Sequence, residues 1–384
     1  MNVGIDKINF YVPPYYVNMV ELAQAREVDP NKFLIGIGQS EMAVSPKTQD
    51  IVTFATNAAK EMLTKEDLAS IDMIIVGTES SIDESKASAV VLHRLLGIQP
   101  FARSFEIKEA CYGATAGVQM AKNHVALNPN SKVLVIASDV ARYGLKSGGE
   151  PTQGAGAVAI LISQNPRLLV LEEENLSFTQ DIYDFWRPIG YDYPLVDGPL
   201  SNETYVQAFQ KVWQEYQKRY ERTLKDFSAF SFHIPYTKMG KKALLSILET
   251  ETSEEQTRLL EQYEASICYS RRVGNLYTGS LYLGFISLLE NSKTLKEGDR
   301  IGFFSYGSGA VAELFSGKLV KNYHEHLNTQ DHQKLLNQRQ ALSIREYEQM
   351  FEDSLDIHQS ATFADPTPYS IIKIENTIRE YRES

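Results

Sequence analysis

Cys111 lies in Phe105-Glu-Ile-Lys-Glu-Ala-Cys-Tyr-Gly-Ala-Thr-Ala-Gly117. An alternating apolar–polar stretch leads into it and small helix formers follow, so the cysteine is expected at a strand-to-helix turn. Unpaired amide donors and the helix dipole at such a place favour a thiolate, and Ala110, Gly113 and Ala114 leave room for a substrate. This setting points to a nucleophile. Cys268, in Glu264-Ala-Ser-Ile-Cys-Tyr269, lacks it and is expected to be structural. A nucleophilic cysteine needs a base, and His233 qualifies by position: Ala229-Phe-Ser-Phe232 reads as a strand that Pro235 terminates, which puts His233 at a strand end. A core histidine is the competing reading. Glu79 directly follows the strand-like Ile71–Gly77 and is either a helix-capping group or an acid/base. Asn275, ahead of the apolar helix Leu281–Leu289, occupies a place in the second half of the chain that parallels Cys111, although an N-cap role would also explain it. Lys238, Lys241 and Lys242 form either a solvated helix start or a local basic patch for a phosphorylated ligand.

The elements that must position these groups alternate between short apolar runs and helical patterns. Met73–Val76, Val133–Ala137, Val158–Ile162 and Ile301–Ser305 read as buried strands; Ile51–Leu63, Ala87–Leu96 and Ala114–Leu127 read as helices. The pattern predicts an α/β fold with buried sheets. An internal repeat divides it: Gln153–Leu161 (QGAGAVAIL) matches Tyr306–Leu314 (YGSGAVAEL) at six of nine positions, and each copy follows an apolar strand. Two similar halves follow, with a join near 165–175. Both copies imitate a Gly-x-Gly-x-x-Ala dinucleotide fingerprint. The glycines are followed by Val and Ile runs that suit a strand, however, where the fingerprint requires a helix. From about Lys321 onward the chain is polar. Peripheral helices are expected there, one capped by Ser343-x-x-Glu346, with His324, His326 and His332 solvated and no metal site.

Composition narrows the function. The 384 residues carry a net charge of −11, with 43% apolar and 23% charged residues. An acidic whole disfavours nucleic acid and anionic membrane as partners, and no run approaches the ~18 apolar residues of a membrane span. Two cysteines exclude a disulfide framework and suit a reducing cytoplasm.

Eight segments together resemble the bacterial form of the hydroxymethylglutaryl-CoA synthases, in the thiolase superfamily: VGTESSIDESK, KEACYGATAG, GGEPTQGAGAVA, DFWRP, VDGPLSNETY, SFHIPYTKMGKKA, NLYTGSLY and FSYGSGAVAELF. The resemblance implies a duplicated α-β-α-β-α five-layered sandwich with halves 1–168 and 169–384, as a homodimer. It implies condensation of acetyl-CoA with acetoacetyl-CoA and water to 3-hydroxy-3-methylglutaryl-CoA, in the mevalonate pathway of isoprenoid synthesis, with no metal or redox cofactor. Carried onto matching positions, Cys111 is the acylated nucleophile, and Glu79 and His233 are general acid/bases, Glu79 acting after acylation and His233 serving acetoacetyl-CoA. Tyr143, Thr152, Phe185, Ser201, Asn275 and Ser308 would line the acyl pocket. Asp184 would help order the site, and Asp29, Lys238 and Lys242 would lie near the CoA moiety. Two alternatives are a ketoacyl-ACP synthase of the same fold, against which Glu79 argues, and a non-catalytic acyl-CoA-binding scaffold.

Overall fold

A computed structural model describes residues 2–248 and 251–383. Nine strands form its main sheet: β1 (Val3–Tyr11), β2 (Ile71–Gly77), β3 (Arg103–Ile107), β4 (Lys132–Ala141), β5 (Gly154–Gln164), β6 (Leu169–Thr179), β7 (Ala229–Phe232), β8 (Arg300–Gly307) and β9 (Val311–Leu319). The principal helices are α1 (Ile51–Lys60), α2 (Ser88–Leu96), α3 (Gly113–Leu127), α4 (Gly198–Tyr220), α5 (Thr237–Leu248), α6 (Ser253–Ser266), α7 (Ser280–Asn291), α8 (Thr329–Asn337) and α9 (Ile344–Glu352).

The strand order β3-β2-β4-β5-β1 is followed by β6-β9-β8-β7. The second series repeats the first. β2 and β4 are parallel, β4 and β5 antiparallel, β5 and β1 antiparallel; β7 and β8 are parallel, β8 and β9 antiparallel, β9 and β6 antiparallel. The series meet where Gly4 and Ile5 pair with Val170 and Leu169. The two glycine repeats therefore open β5 and span the turn into β9. A strand follows each, as their Val and Ile runs require, and the dinucleotide reading has no helix to rest on.

Alternation along the strands builds the layers. Ile75, Val133, Val135, Val158 and Ile160 face a central core with Ile301, Phe303 and Phe315. Ile74, Leu134, Ile136, Ala159 and Leu161 face α1 and α2, while Phe304, Tyr306 and Leu314 face α4, α5 and α6. Helices α3 and α7 fill the middle layer. Every residue of α7 from Ser280 to Leu289 is buried, as a helix enclosed on all sides demands. The two touch where the Thr115 hydroxyl lies 3.0 Å from the Tyr282 hydroxyl. Helix, sheet, helices, sheet, helix is the expected five-layered α-β-α-β-α sandwich.

The C-terminal segment differs from expectation in two ways. Besides α8 and α9 it holds strands: Gln340–Leu342 lies parallel to Tyr15–Val17, and Ala361–Thr362, Ile371–Glu375 and Ile378–Tyr381 make a small antiparallel sheet. Nor is it merely peripheral, since Tyr347 and Phe351 of α9 share a core with Val17, Leu22 and Met42. His324 and His326 are exposed as expected, but His332 is buried. Its Nδ1 lies 2.7 Å from Glu290 and its Nε2 2.6 Å from the Asn9 Oδ1, with the ring stacked on Phe10. The apolar neighbours of α8 pull the ring inward, and the two acceptors satisfy it there. His332→Ala strips a partner from buried Glu290 and Asn9, so unfolding free energy should fall by about 1–3 kcal/mol. His324→Ala should leave it unchanged; urea unfolding of the two variants makes the comparison.

Candidate active site

Contact between Cys111 and Glu79 depends on glycine. A Cβ on Gly77, the last residue of β2, would stand 2.3 Å from the Ala114 nitrogen. Only a bare backbone lets the first turn of α3 sit against the strand end. The Thr78 amide bonds the Ile107 carbonyl at the end of β3 (3.2 Å), so β2 and β3 release Glu79 and Cys111 side by side. The Cys111 thiol donates to the Glu79 Oε1 at 3.3 Å.

The surroundings are largely apolar. Cys111 packs with Ala141 and Tyr277, and Tyr143 and Phe185 close over them, the three rings standing edge to face. Burial reverses the expected influence of the helix start: desolvation, then the charges of Glu79 and Asp139, push the thiol well above its ordinary pKa. Burial thus favours the thiol over the thiolate at Cys111. Burial, together with Asp139, raises Glu79 to about 8.

Asp139, at the end of β4, is fully buried. One oxygen accepts from the Thr78 hydroxyl, the Glu79 amide and the Ser80 hydroxyl, each at 2.9 Å. The other accepts from the Thr278 hydroxyl (2.7 Å) and amide (3.2 Å). It thus ties the Glu79 loop to the second half. Burial lifts it to about 6 against these donors. Sequence reasoning missed Asp139, although the signal that singled out Glu79, a carboxylate ending an apolar strand, was present in Lys132–Asp139. Arg187 was missed too; its guanidinium donates to the Glu79 carbonyl.

Cys111 opens into a cavity of about 510 Å³ whose walls include Tyr143, Thr152, Phe185, Ser201, His233, Asn275 and Ser308. His233 follows β7, as read from the sequence. Its amide bonds the Phe304 carbonyl (2.8 Å), its carbonyl accepts from the Tyr205 hydroxyl (2.5 Å), and its Nδ1 has no partner among the described residues. Burial lowers the imidazole to about 3, so the ring is neutral at physiological pH. Asn275 is buried; it accepts from the Tyr277 amide and Ser280 hydroxyl, both at 2.8 Å, and donates to the Tyr143 hydroxyl at 3.3 Å. It is both a turn cap and a cavity wall. Asp184 lies behind the wall, accepting from the Tyr306 hydroxyl (2.8 Å) and the Gly309 amide (2.9 Å).

A family model for the N-terminal part of hydroxymethylglutaryl-coenzyme A synthases matches residues 1–166, and the C-terminal model matches 169–264 and 255–376. The chain belongs to the hydroxymethylglutaryl-CoA synthase family. It is 66% identical over 382 residues to the hydroxymethylglutaryl-CoA synthase of Enterococcus faecalis, covering 100% of both chains. It is 34% identical to the polyketide-biosynthesis 3-hydroxy-3-methylglutaryl-ACP synthase PksG of Bacillus subtilis, covering 92% of this chain and 89% of that one. Its fold matches a crystal structure of an HMG-CoA synthase complexed with CoA at a TM-score of 0.97, with 48% identity and full coverage of both. It also matches MvaS in complex with 3-hydroxy-3-methylglutaryl coenzyme A at 0.90, with 35% identity, covering 100% of this chain and 99% of that one.

The residues expected near CoA lie further out. Lys242 bonds the Tyr236 hydroxyl (3.0 Å) and the Asn202 Oδ1 (3.3 Å), two groups on the cavity wall. Lys238 opens α5, its Cε beside Gly38. Lys241 departs from the patch: it pairs with Glu264 at 3.1 Å, a carboxylate that Arg271 also holds at 2.6 Å. Asp29 is exposed and accepts from the Asn31 amide (2.9 Å). Nearby Lys32 and Phe33 line an outer depression that shares Ser147 and Gly148 with the catalytic cavity.

Because the Asp139 charge helps raise Glu79, Asp139→Asn should lower the Glu79 pKa. The acid limb of the pH dependence of kcat/KM should then move to lower pH, together with a fall in kcat from the lost acceptors. An acid limb that stays in place would show that Asp139 does not set the Glu79 proton affinity.

Proposed function

We propose that this chain condenses acetyl-CoA with acetoacetyl-CoA and water to give (S)-3-hydroxy-3-methylglutaryl-CoA and CoA, supplying the mevalonate route of isoprenoid synthesis. The observation that carries this reading is a buried thiol hydrogen-bonded to a carboxylate of raised pKa, opening into a cavity whose walls include a neutral histidine. The 66% identity to the Enterococcus faecalis enzyme over the full length supports it.

The steps follow from the geometry. Glu79, as carboxylate, takes the Cys111 proton while the sulfur attacks acetyl-CoA; the carbon–sulfur bond to CoA breaks, and the protonated Glu79 returns the proton to the leaving thiolate. The thiol–carboxylate contact thus adds an earlier duty to the one expected after acylation. Amides at the start of α3, which carries no side-chain cap, are suited to the developing oxyanion. Glu79 next removes a methyl proton from acetyl-Cys111. The carbanion attacks the ketone carbon of acetoacetyl-CoA, and the resulting alkoxide, held by the neutral His233 imidazole, receives the proton that Glu79 took from the methyl group, which returns Glu79 to its carboxylate. Water then cleaves the thioester, its hydroxyl going to the acyl carbon and its proton to Cys111. Atoms and electrons balance without an oxidant or a metal.

Tyr143, Thr152, Phe185, Ser201, Asn275 and Ser308 shape the acyl pocket in this reading, Asp184 braces it, and Asp29, Lys238 and Lys242 border the CoA path. The halves 1–168 and 169–384 are its two structural units, supported by the repeated strand order. A homodimer belongs to this reading; of the two edge strands of the main sheet, β3 and β7, β3 is the more exposed and so the one open to a partner. No helix among the described residues is long and apolar enough to cross a membrane, which suits a cytoplasmic setting. The contact between Glu79 and the thiol argues against a ketoacyl-ACP synthase, whose decarboxylative reaction needs no base. The similarity to PksG makes acetyl-ACP the control donor.

Mass spectrometry after incubation with acetyl-CoA should find one acetyl group, on Cys111; an acetyl group on Cys268, or acylation by acetyl-ACP alone, overturns the assignment. Glu79→Gln should slow condensation by about 10²–10⁴-fold and slow acetylation as well. Lys242→Ala should raise KM for the CoA substrates with kcat little changed, whereas Lys241→Ala should alter neither.

A further inference from the structure

At one buried position of the two glycine repeats an aliphatic side chain is exchanged for a carboxylate. Ile160 in the first copy, on β5, is fully buried in the central layer. Its counterpart in the second copy is Glu313 on β9, 4% exposed. A carboxylate where the duplicated sequence carries an aliphatic side chain costs desolvation and persists only with partners. Glu313 accepts from the Tyr112 hydroxyl at 2.5 Å, and Gln119 of α3 lies within its reach. Tyr112 follows the nucleophile directly and is the residue from which α3 starts.

A second contact comes from the same side. A Cβ on Gly307 would stand 2.7 Å from the Glu109 carbonyl oxygen and from the Tyr112 Cβ, so the end of β8 presses on the turn that carries Cys111. Nucleophile and acceptor site belong to different halves: Cys111 to the first, His233 and Asn275 to the second. Their separation depends on contacts that cross between the halves at this turn.

Resting on the function proposed above, we infer that Glu313 is a positioning residue, which through the Tyr112 hydroxyl fixes the Cys111 turn against the second half. It touches no reacting atom. It acts by holding the thiol where the acyl donor and Glu79 meet it, and a displacement of about 1 Å at such a point lowers the rate by roughly 10²-fold.

The test compares single-turnover acetylation of Cys111 by acetyl-CoA, followed by mass spectrometry, with steady-state KM and kcat. Glu313→Ile gives the second repeat the residue of the first; Tyr112→Phe removes only the hydroxyl. Each should slow acetylation and kcat by about tenfold to a hundredfold, with KM for acetyl-CoA within about threefold of the parent. The double variant should be no slower than the slower single one, because both break one contact. Glu313→Gln, which still accepts from Tyr112, should restore most of the rate lost in Glu313→Ile. Should Glu313→Ile fail to fold, Tyr112→Phe and Glu313→Gln carry the test alone. Acetylation at the parent rate in Tyr112→Phe, or losses that multiply in the double variant, overturns the inference. Failure of the parent chain itself to take an acetyl group from acetyl-CoA overturns instead the function on which it rests.

Discussion

The bare backbone of Gly77 sets how near the Cys111 thiol comes to the Glu79 carboxylate. Any side chain there would drive α3 away from the end of β2, and the thiol and the carboxylate would part. Most of the remaining arrangement maintains that approach. Parallel pairing of β2 with β3 and β4 brings three strand ends into line, so Glu79, the Cys111 turn and Asp139 emerge at one edge. Strand ends collect chemistry in open α/β sheets for this reason. Here the rings of Tyr143, Phe185 and Tyr277 partly enclose them.

Enclosure carries an electrostatic cost that the site redirects. Two carboxylates and a thiol share a space walled by Tyr143, Phe185 and Tyr277. Among the described residues, the cation that reaches this group is Arg187, at the Glu79 carbonyl. In water all three groups would titrate near their usual values. In this enclosure desolvation holds protons on the thiol and on Glu79, while five donors favour charge on Asp139. The outcome is a division of labour among acids of the same chemical type: Asp139 is fixed by its donors, and Glu79 is left poised to exchange a proton near physiological pH. His233 follows the same physics with the opposite sign, since burial keeps it neutral.

Much of this was legible in the chain. Periodicity located β2, β4, β5 and β8, and helices α1, α2 and α3 to within a few residues, because each carries a strong apolar pattern of its own. The repeat revealed the duplication before any strand order was visible. The grouping of Glu79, Cys111 and His233 was legible because each lies beside the end or start of an element, and the structure brings them to one place. Asp139 was missed because its importance lies in donors from two distant segments, Thr78–Ser80 and Thr278. The influence of the helix start on Cys111 was misjudged because solvent exclusion by aromatic rings from three segments cannot be read from the cysteine's neighbours. Lys241 was grouped with its companions for a similar reason, since adjacency hides that Glu264 claims it. The burial of His332 depended on Asn9 and Glu290, which sequence separates widely from it.

That last contact bears on how the chain reaches its native state. Asn9 and His332 are 323 residues apart, the strand at Tyr15–Val17 is flanked by Gln340–Leu342, and Asp50 at the cap of α1 receives the Tyr381 hydroxyl over 331 residues. Segments near residues 9–50 are thus completed by segments that follow 323 to 331 residues later. A nascent chain can form the sheet of its first half early, but β1 and α1 keep uncovered surfaces until residues 332–381 have been made. Pairings of such sequence separation are slow to form, and in the interval the unfinished flank is open to chaperones, proteases and other nascent copies.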